Sequence, residues 1–161
     1  MNKEIINKIK EIRLIIFDLE GVLLTQANLD ENIISQLVSS IEKAVEDFQK
    51  RNINIAIITA RPEDELIERL KQISNCTILS SSLDKVTAAE KILAEKKLNC
   101  NNVFFIGDGI LDIPLIKKCG LSAAPKTAKR EVKREVDLII NSNGYNEIFT
   151  EIMNLIDMAK N

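Results

Sequence analysis

The chain has 161 residues, 45% hydrophobic and 29% charged, a balance that excludes a disordered or collagen-like protein and suits one ordinary folded unit over residues 1–161. A formal charge of −2 supplies no positive field for nucleic acid, and the apolar runs are too short to span a bilayer, so neither nucleic acid nor membrane is an expected partner. Histidine is absent, which excludes Ser-His triads, imidazole bases and imidazole-ligated zinc and leaves catalysis to carboxylates, lysine, hydroxyls and backbone. Cys76, Cys100 and Cys119 form no CxxC pair and fit reduced thiols; with no export signal, the expected location is the cytoplasm.

A first helix is predicted over residues 2 to 11, with Ile5, Ile6 and Ile9 on one side, leading into a strand from Ile12 to Asp18. From Asp30, a good N-cap, Ile33, Ile34, Leu37, Val38, Ile41, Ala44, Val45 and Phe48 step by three and four, the spacing of one helical face. A strand follows at Ile53 to Ile58. A helix opened by Pro62 comes next, with Glu63, Asp64 and Glu65 favouring its positive end. Then come a short strand from Thr77 to Leu79, a helix from Asp84 to Lys97, and a strand from Val103 to Ile106 ended by Gly107.

A helix begins near Asp112, with Pro114 tolerated in its first turn and Gly120 closing it. A short strand at Leu121 to Ala123, a basic helix over 127 to 134, a strand at Val136 to Ile140 and a helix from Tyr145 complete the chain. Apolar runs alternating with helical segments argue for an α/β fold: a doubly wound, mostly parallel Rossmann-like sheet. The predicted elements fill the chain and leave no room for a sizeable cap domain.

Four polar clusters follow predicted strands, where open parallel sheets place their ligand sites. They are Asp18 to Val22, Thr59, Lys85, and Gly107 to Asp112. Singly, Thr59 and Lys85 fit solvated or capping positions and Asp112 fits an N-cap. Asp18 is harder to dismiss, because apolar residues lead right up to it and its carboxylate at the sheet edge is costly without a cation or donors.

In order and spacing the clusters resemble the motif set of the haloacid-dehalogenase superfamily: an Asp-x-Asp-Gly segment, a Thr or Ser, a Lys, and Gly-Asp-x-x-x-Asp. Within it, Ile12 to Thr25, Ala56 to Arg61, Asp84-Lys85 and Phe105 to Leu121 look most like the capless 3-deoxy-D-manno-octulosonate 8-phosphate phosphatases and their nine-carbon relatives. The resemblance implies a Mg2+-dependent phosphatase for a small phosphorylated sugar or keto sugar acid. In it Asp18 attacks phosphorus and Glu20 serves as acid, then base. Thr59, Ala60 and Lys85 hold the phosphoryl group. Asp18, Asp108 and the carbonyl of Glu20 would hold the metal, with Asp112 also at the metal site, orienting Lys85 or a metal-bound water.

The chain departs from the pattern at Glu20, where the superfamily's phosphatases usually carry Asp, although its enolase-phosphatases are similar in having Asp-x-Glu-Gly. Gly109 stands for an Asp common in the sugar-acid branch. A β-hairpin that builds tetramer and pocket in that branch is reduced to Leu24 to Leu29. The expected outcome is a site closed by self-association, a homo-oligomer and specifically a tetramer, with Leu24 to Leu29 and the segment from Asn143 onward approaching a neighbour. Lys126, Lys129, Arg130, Lys133 and Arg134 are expected on one side of a helix, as a solvated face or a carboxylate-binding edge. The competing readings are a catalytically silent scaffold or partner subunit and a receiver-like phosphoaspartate domain, against which the order of the acids and the lysine argues.

Overall fold

A computed structural model describes residues 1–161. Its strands are β1 (Leu14–Phe17), β2 (Asn54–Ile58), β3 (Cys76–Leu79), β4 (Val103–Ile106), β5 (Leu121–Pro125) and β6 (Leu138–Ile140). The helices are α1 (Lys3–Glu11), α2 (Glu31–Gln49), α3 (Glu65–Lys71), α4 (Lys85–Lys96), α5 (Ile113–Lys118), α6 (Arg130–Lys133) and α7 (Ile148–Lys160). All six strands pair in parallel, in the order β3-β2-β1-β4-β5-β6, which makes the α/β, doubly wound, Rossmann-like expectation correct.

The strands are almost wholly apolar, with Asn54, Thr77 and Ser122 the polar exceptions, because helices cover both faces. Successive side chains alternate between two cores. Ile15, Phe17, Ile55, Ile57, Phe104 and Ile106 pack with α1, α2, α3 and α7, where the rings of Phe17 and Phe149 meet edge to face at 5.2 Å. Leu14, Ile16, Ala56, Ile58, Val103 and Phe105 pack with α4, α5 and α6. Asp30 caps α2, its Oδ1 accepting from the Ile33 N–H at 2.8 Å, and the predicted face from Leu37 to Phe48 is buried. No helix is long and apolar enough to cross a membrane. The connections between elements are filled as expected, with no cap domain.

Several local expectations are corrected. Pro62 does not open α3; Asp64 does, because its Oδ1 accepts from the Ile67 N–H at 2.9 Å and so satisfies a first-turn donor. The basic helix shrinks to the single turn of α6, since Pro125 to Ala128 forms a turn in which the Ala128 N–H donates to the Pro125 carbonyl at 2.9 Å. Lys126 and Lys129 therefore lie outside it, and the five basic residues share no helical side. Gly120 does not close α5, whose last cap is Cys119. It is required instead by close approach: a Cβ there would lie 2.3 Å from the Asn101 carbonyl oxygen. The cysteines are unpaired and half-buried, and burial pushes the thiols of Cys76 and Cys119 up to about 12.

Candidate active site

The strand order turns at β1 and β4, so the connections leaving their carboxyl ends diverge and open a crevice there. Phe17 lies opposite Ile106, and the chain after each strand is polar: Asp18 after β1, Gly107 and Asp108 after β4. The Asp18 N–H extends the ladder by donating to the Ile106 carbonyl at 3.0 Å. Its carboxylate is thereby fixed at the sheet edge, buried, with Oδ1 accepting from the Leu19 N–H at 2.9 Å.

Two glycines let the acids converge. At Gly21, with φ of +83°, a Cβ would stand 1.8 Å from Oδ2 of Asp108, so only glycine permits both the turn and the approach. At Gly107 a Cβ would come within 2.8 Å of the Asp112 side chain. Carboxylate oxygens of Asp18, Asp108 and Asp112 consequently lie within 4.8 Å of one another.

Lys85 neutralises part of that charge. Asp84 caps α4 by accepting from the Thr87 N–H at 3.1 Å, which makes Lys85 the first helical residue and sends its side chain toward the sheet edge. Its Nζ donates to Oδ1 of Asp18 at 2.9 Å and to Oδ1 of Asp112 at 2.6 Å, in a site where Lys85 is only 5% exposed. Burial opposes the ammonium charge, but Asp18 and Asp112 outweigh it and hold the Lys85 pKa above its ordinary value. The other oxygen of Asp112 accepts from the N–H groups of Asp108 and Gly109, at 2.9 and 3.0 Å. Asp112 thus ties the lysine to the turn after β4.

One ammonium is insufficient for three acids. Burial, then the neighbouring Asp112, push the Asp18 carboxyl up to about 8 against the opposing pull of Lys85. Burial and Asp112 raise Asp108 in the same direction. The cluster therefore favours protons or a hard cation among its oxygens.

Thr59 is buried at the end of β2 and its Oγ1 accepts from the Arg61 N–H at 3.1 Å, while the Ala60 N–H takes part in no internal hydrogen bond. Glu20, expected as acid and then base, does not join the Asp18 cluster. Its carboxylate is 59% exposed and instead accepts from Nη1 of Arg61 at 2.8 Å. Glu20 and Arg61 line a cleft of about 530 Å³ together with Leu24, Thr25, Gln26 and Leu29, so the shortened loop does form a pocket wall. The segment from Asn143, expected to reach toward a neighbour, is held by its own chain: the N–H groups of Gly144 and Tyr145 donate to the carbonyls of Val22 and Leu23, at 2.8 and 2.9 Å.

Residues 71–152, slightly more than half of the chain, match the family of haloacid dehalogenase-like hydrolases. The chain belongs to this family. It is 24% identical to the 3-deoxy-D-manno-octulosonate 8-phosphate phosphatase of Haemophilus influenzae over 157 residues, covering 95% of this chain and 87% of that one. It is 26% identical to the enzyme of the same name from Yersinia pestis, over 98% of this chain and 86% of that one. The solved 3-deoxy-D-manno-octulosonate 8-phosphate phosphatase of Moraxella catarrhalis, in complex with magnesium ion, phosphate ion and a KDO molecule, superposes with a TM-score of 0.82. That likeness, at 22% identity, covers 99% of this chain and 93% of the other. Membership places the chain among hydrolases and not among receiver domains.

In this hydrolase the sequence-derived set divides in two. Asp18, Lys85, Asp108 and Asp112 form one connected cluster in which Asp108 is half-buried; Thr59 and Ala60 follow the end of β2, the strand beside β1, and Glu20 lines the cleft with Arg61. Arg61 and its anchor Asp64, whose Oδ2 accepts from the Arg61 Nε at 2.7 Å, entered the sequence reading only as the end of the Ala56 to Arg61 resemblance and as an acid at a helix start, with no part in the site. The one signal available was an arginine two positions after Thr59, where the chain leaves β2 toward the site.

Proposed function

We propose that this hydrolase is a magnesium-dependent phosphomonoesterase that passes the phosphoryl group through Asp18, acting on a small phosphorylated sugar or keto sugar acid of the 3-deoxy-D-manno-octulosonate 8-phosphate kind. The observation that carries the reading is the convergence of Asp18, Asp108 and Asp112 around Lys85 at the strand crossover. The names of the relatives support the substrate class.

The residues fit magnesium: the cluster offers only hard carboxylate oxygens, and its raised Asp18 and Asp108 carboxyls show more negative charge than Lys85 offsets. Asp18, Asp108 and the Glu20 carbonyl would hold the ion, with Asp112 behind them. When bound, it would neutralise the acids and the phosphoryl oxygens. Asp18 then acts ionised as the nucleophile, Lys85 faces the phosphoryl oxygens, and the Thr59 hydroxyl and Ala60 N–H donate to them. Glu20, beside the cleft, protonates the leaving oxygen and later takes a proton from the water that releases phosphate.

Glu20→Gln tests the acid. It should lower kcat by about 10²- to 10⁴-fold with a poor leaving group and by less with p-nitrophenyl phosphate. Equal losses with both would make Glu20 structural, and no magnesium-dependent turnover by the unmodified protein would leave the silent-scaffold reading in place. A homo-oligomer, specifically a tetramer, whose second copy covers the cleft belongs to the same proposal. Light scattering at assay concentration checks it, and a fully active monomer contradicts it.

A further inference from the structure

We propose that Arg61 is the positioning residue for the general acid: its guanidinium fixes the Glu20 carboxyl at the mouth of the cleft and leaves Oε2 to exchange the proton with substrate. The inference rests on the phosphatase reading above. Glu20 is exposed, and Arg61 is the one partner of its carboxylate. An unrestrained Glu side chain samples several rotamers, and a general acid that wanders loses the orientation on which its rate depends. An Asp at that position, one methylene shorter, would have one torsion fewer to fix.

Arg61 is itself pinned at four points. Its Nε donates to Oδ2 of Asp64 at 2.7 Å, and the other oxygen of Asp64 is committed to capping α3. Its backbone N–H donates to Thr59 Oγ1, and its carbonyl accepts from the Ser81 N–H at 2.8 Å. Ser81 makes that contact from a left-handed backbone with φ of 51°, a conformation a non-glycine residue holds only when its surroundings impose it. The fourth point is Glu20. The planar fork of arginine suits this bridge between two carboxylates in a way a lysine ammonium does not.

The guanidinium donates to Oε1 whether the carboxyl is neutral or ionised. In the first step the Oε2–H proton passes to the leaving oxygen as its bond to phosphorus breaks and the bond from Asp18 forms. In the second step a water proton passes to Glu20 as the water oxygen bonds phosphorus and the Asp18 carboxylate leaves. Arg61 holds the acid through both and contributes no proton of its own.

The test compares kcat for phenyl phosphate and p-nitrophenyl phosphate, esters of similar shape but different leaving-group demand, in Arg61→Gln, Arg61→Lys, Glu20→Gln and the Glu20→Gln/Arg61→Gln double variant. Arg61→Gln should lose about 10²-fold with phenyl phosphate and markedly less with p-nitrophenyl phosphate, with Arg61→Lys recovering part of the loss. The double variant should be no slower than Glu20→Gln alone, because the holder has nothing left to hold. Equal losses of Arg61→Gln on both esters, or losses that multiply in the double variant, overturn the proposal. If Glu20→Gln itself does not discriminate between the esters, the acid assignment fails and this inference falls with it, whereas discrimination by Glu20→Gln without discrimination by Arg61→Gln defeats this inference alone. If Arg61→Gln does not fold, Arg61→Lys carries the same comparison.

Discussion

Asp18→Asn is expected to lower magnesium-dependent turnover by at least about 10⁴-fold, the scale of nucleophile deletions, while the protein remains folded. An amide cannot form the acyl phosphate and is a weak ligand for a hard cation. Every hydrogen bond of the native side chain survives the change. The amide oxygen accepts from the Leu19 N–H and Lys85 Nζ as Oδ1 of Asp18 does. Replacing a carboxyl that burial and Asp112 push up to about 8 also removes the cost of keeping it protonated in the folded chain, so the metal-free variant should unfold at the same or a higher urea concentration than the native chain. Near-native activity with intact folding would refute attack by Asp18.

Lys85→Met should cost both activity and stability. Its ammonium sits between Asp18 and Asp112, with all three side chains nearly excluded from solvent, and deleting one member of such a buried set typically costs about 3–5 kcal/mol. The pH dependence has a definite sign. The folded Asp18 carboxyl, raised to about 8 from 3.8, holds a proton that the unfolded chain has released at intermediate pH. Metal-free stability therefore falls as pH rises between those values. Without Lys85 nothing within the cluster offsets the emerging charge. The deficit of Lys85→Met in urea melts with a chelator present should thus be larger at about pH 8 than at about pH 5. A deficit that is small and independent of pH would mean that the lysine is solvated and plays no part in holding the acids.

Much of the site was legible because its chemistry is written at strand ends. Asp18 directly follows four consecutive apolar residues and Asp108 follows another four with Gly107 between, and a run of that kind fixes where a strand stops. Lys85 was legible through its neighbour Asp84, whose capping preference marks the helix start. Glu20 was identified by type and spacing, yet its orientation was not, because alternation along a strand holds only within the strand. Glu20 lies beyond the end of β1, in a turn set by Gly21.

By itself the sequence determined the six strands, the helices between them, the two-sided burial and the acids at the carboxyl edge, since hydrophobic period and capping residues act within a few positions of the chain. Its errors fell where local signals compete. Pro62 and Asp64 both mark helix starts, and the hydrogen bond to Ile67 decided for Asp64. The tertiary structure alone decided that Lys85 bridges Asp18 and Asp112, residues 67 and 27 positions away, and that Arg61 holds Glu20 across 41. Such pairings depend on which strands lie side by side. The order β3-β2-β1-β4-β5-β6 is set by how the two cores close over the whole sheet, a property no short stretch of sequence contains.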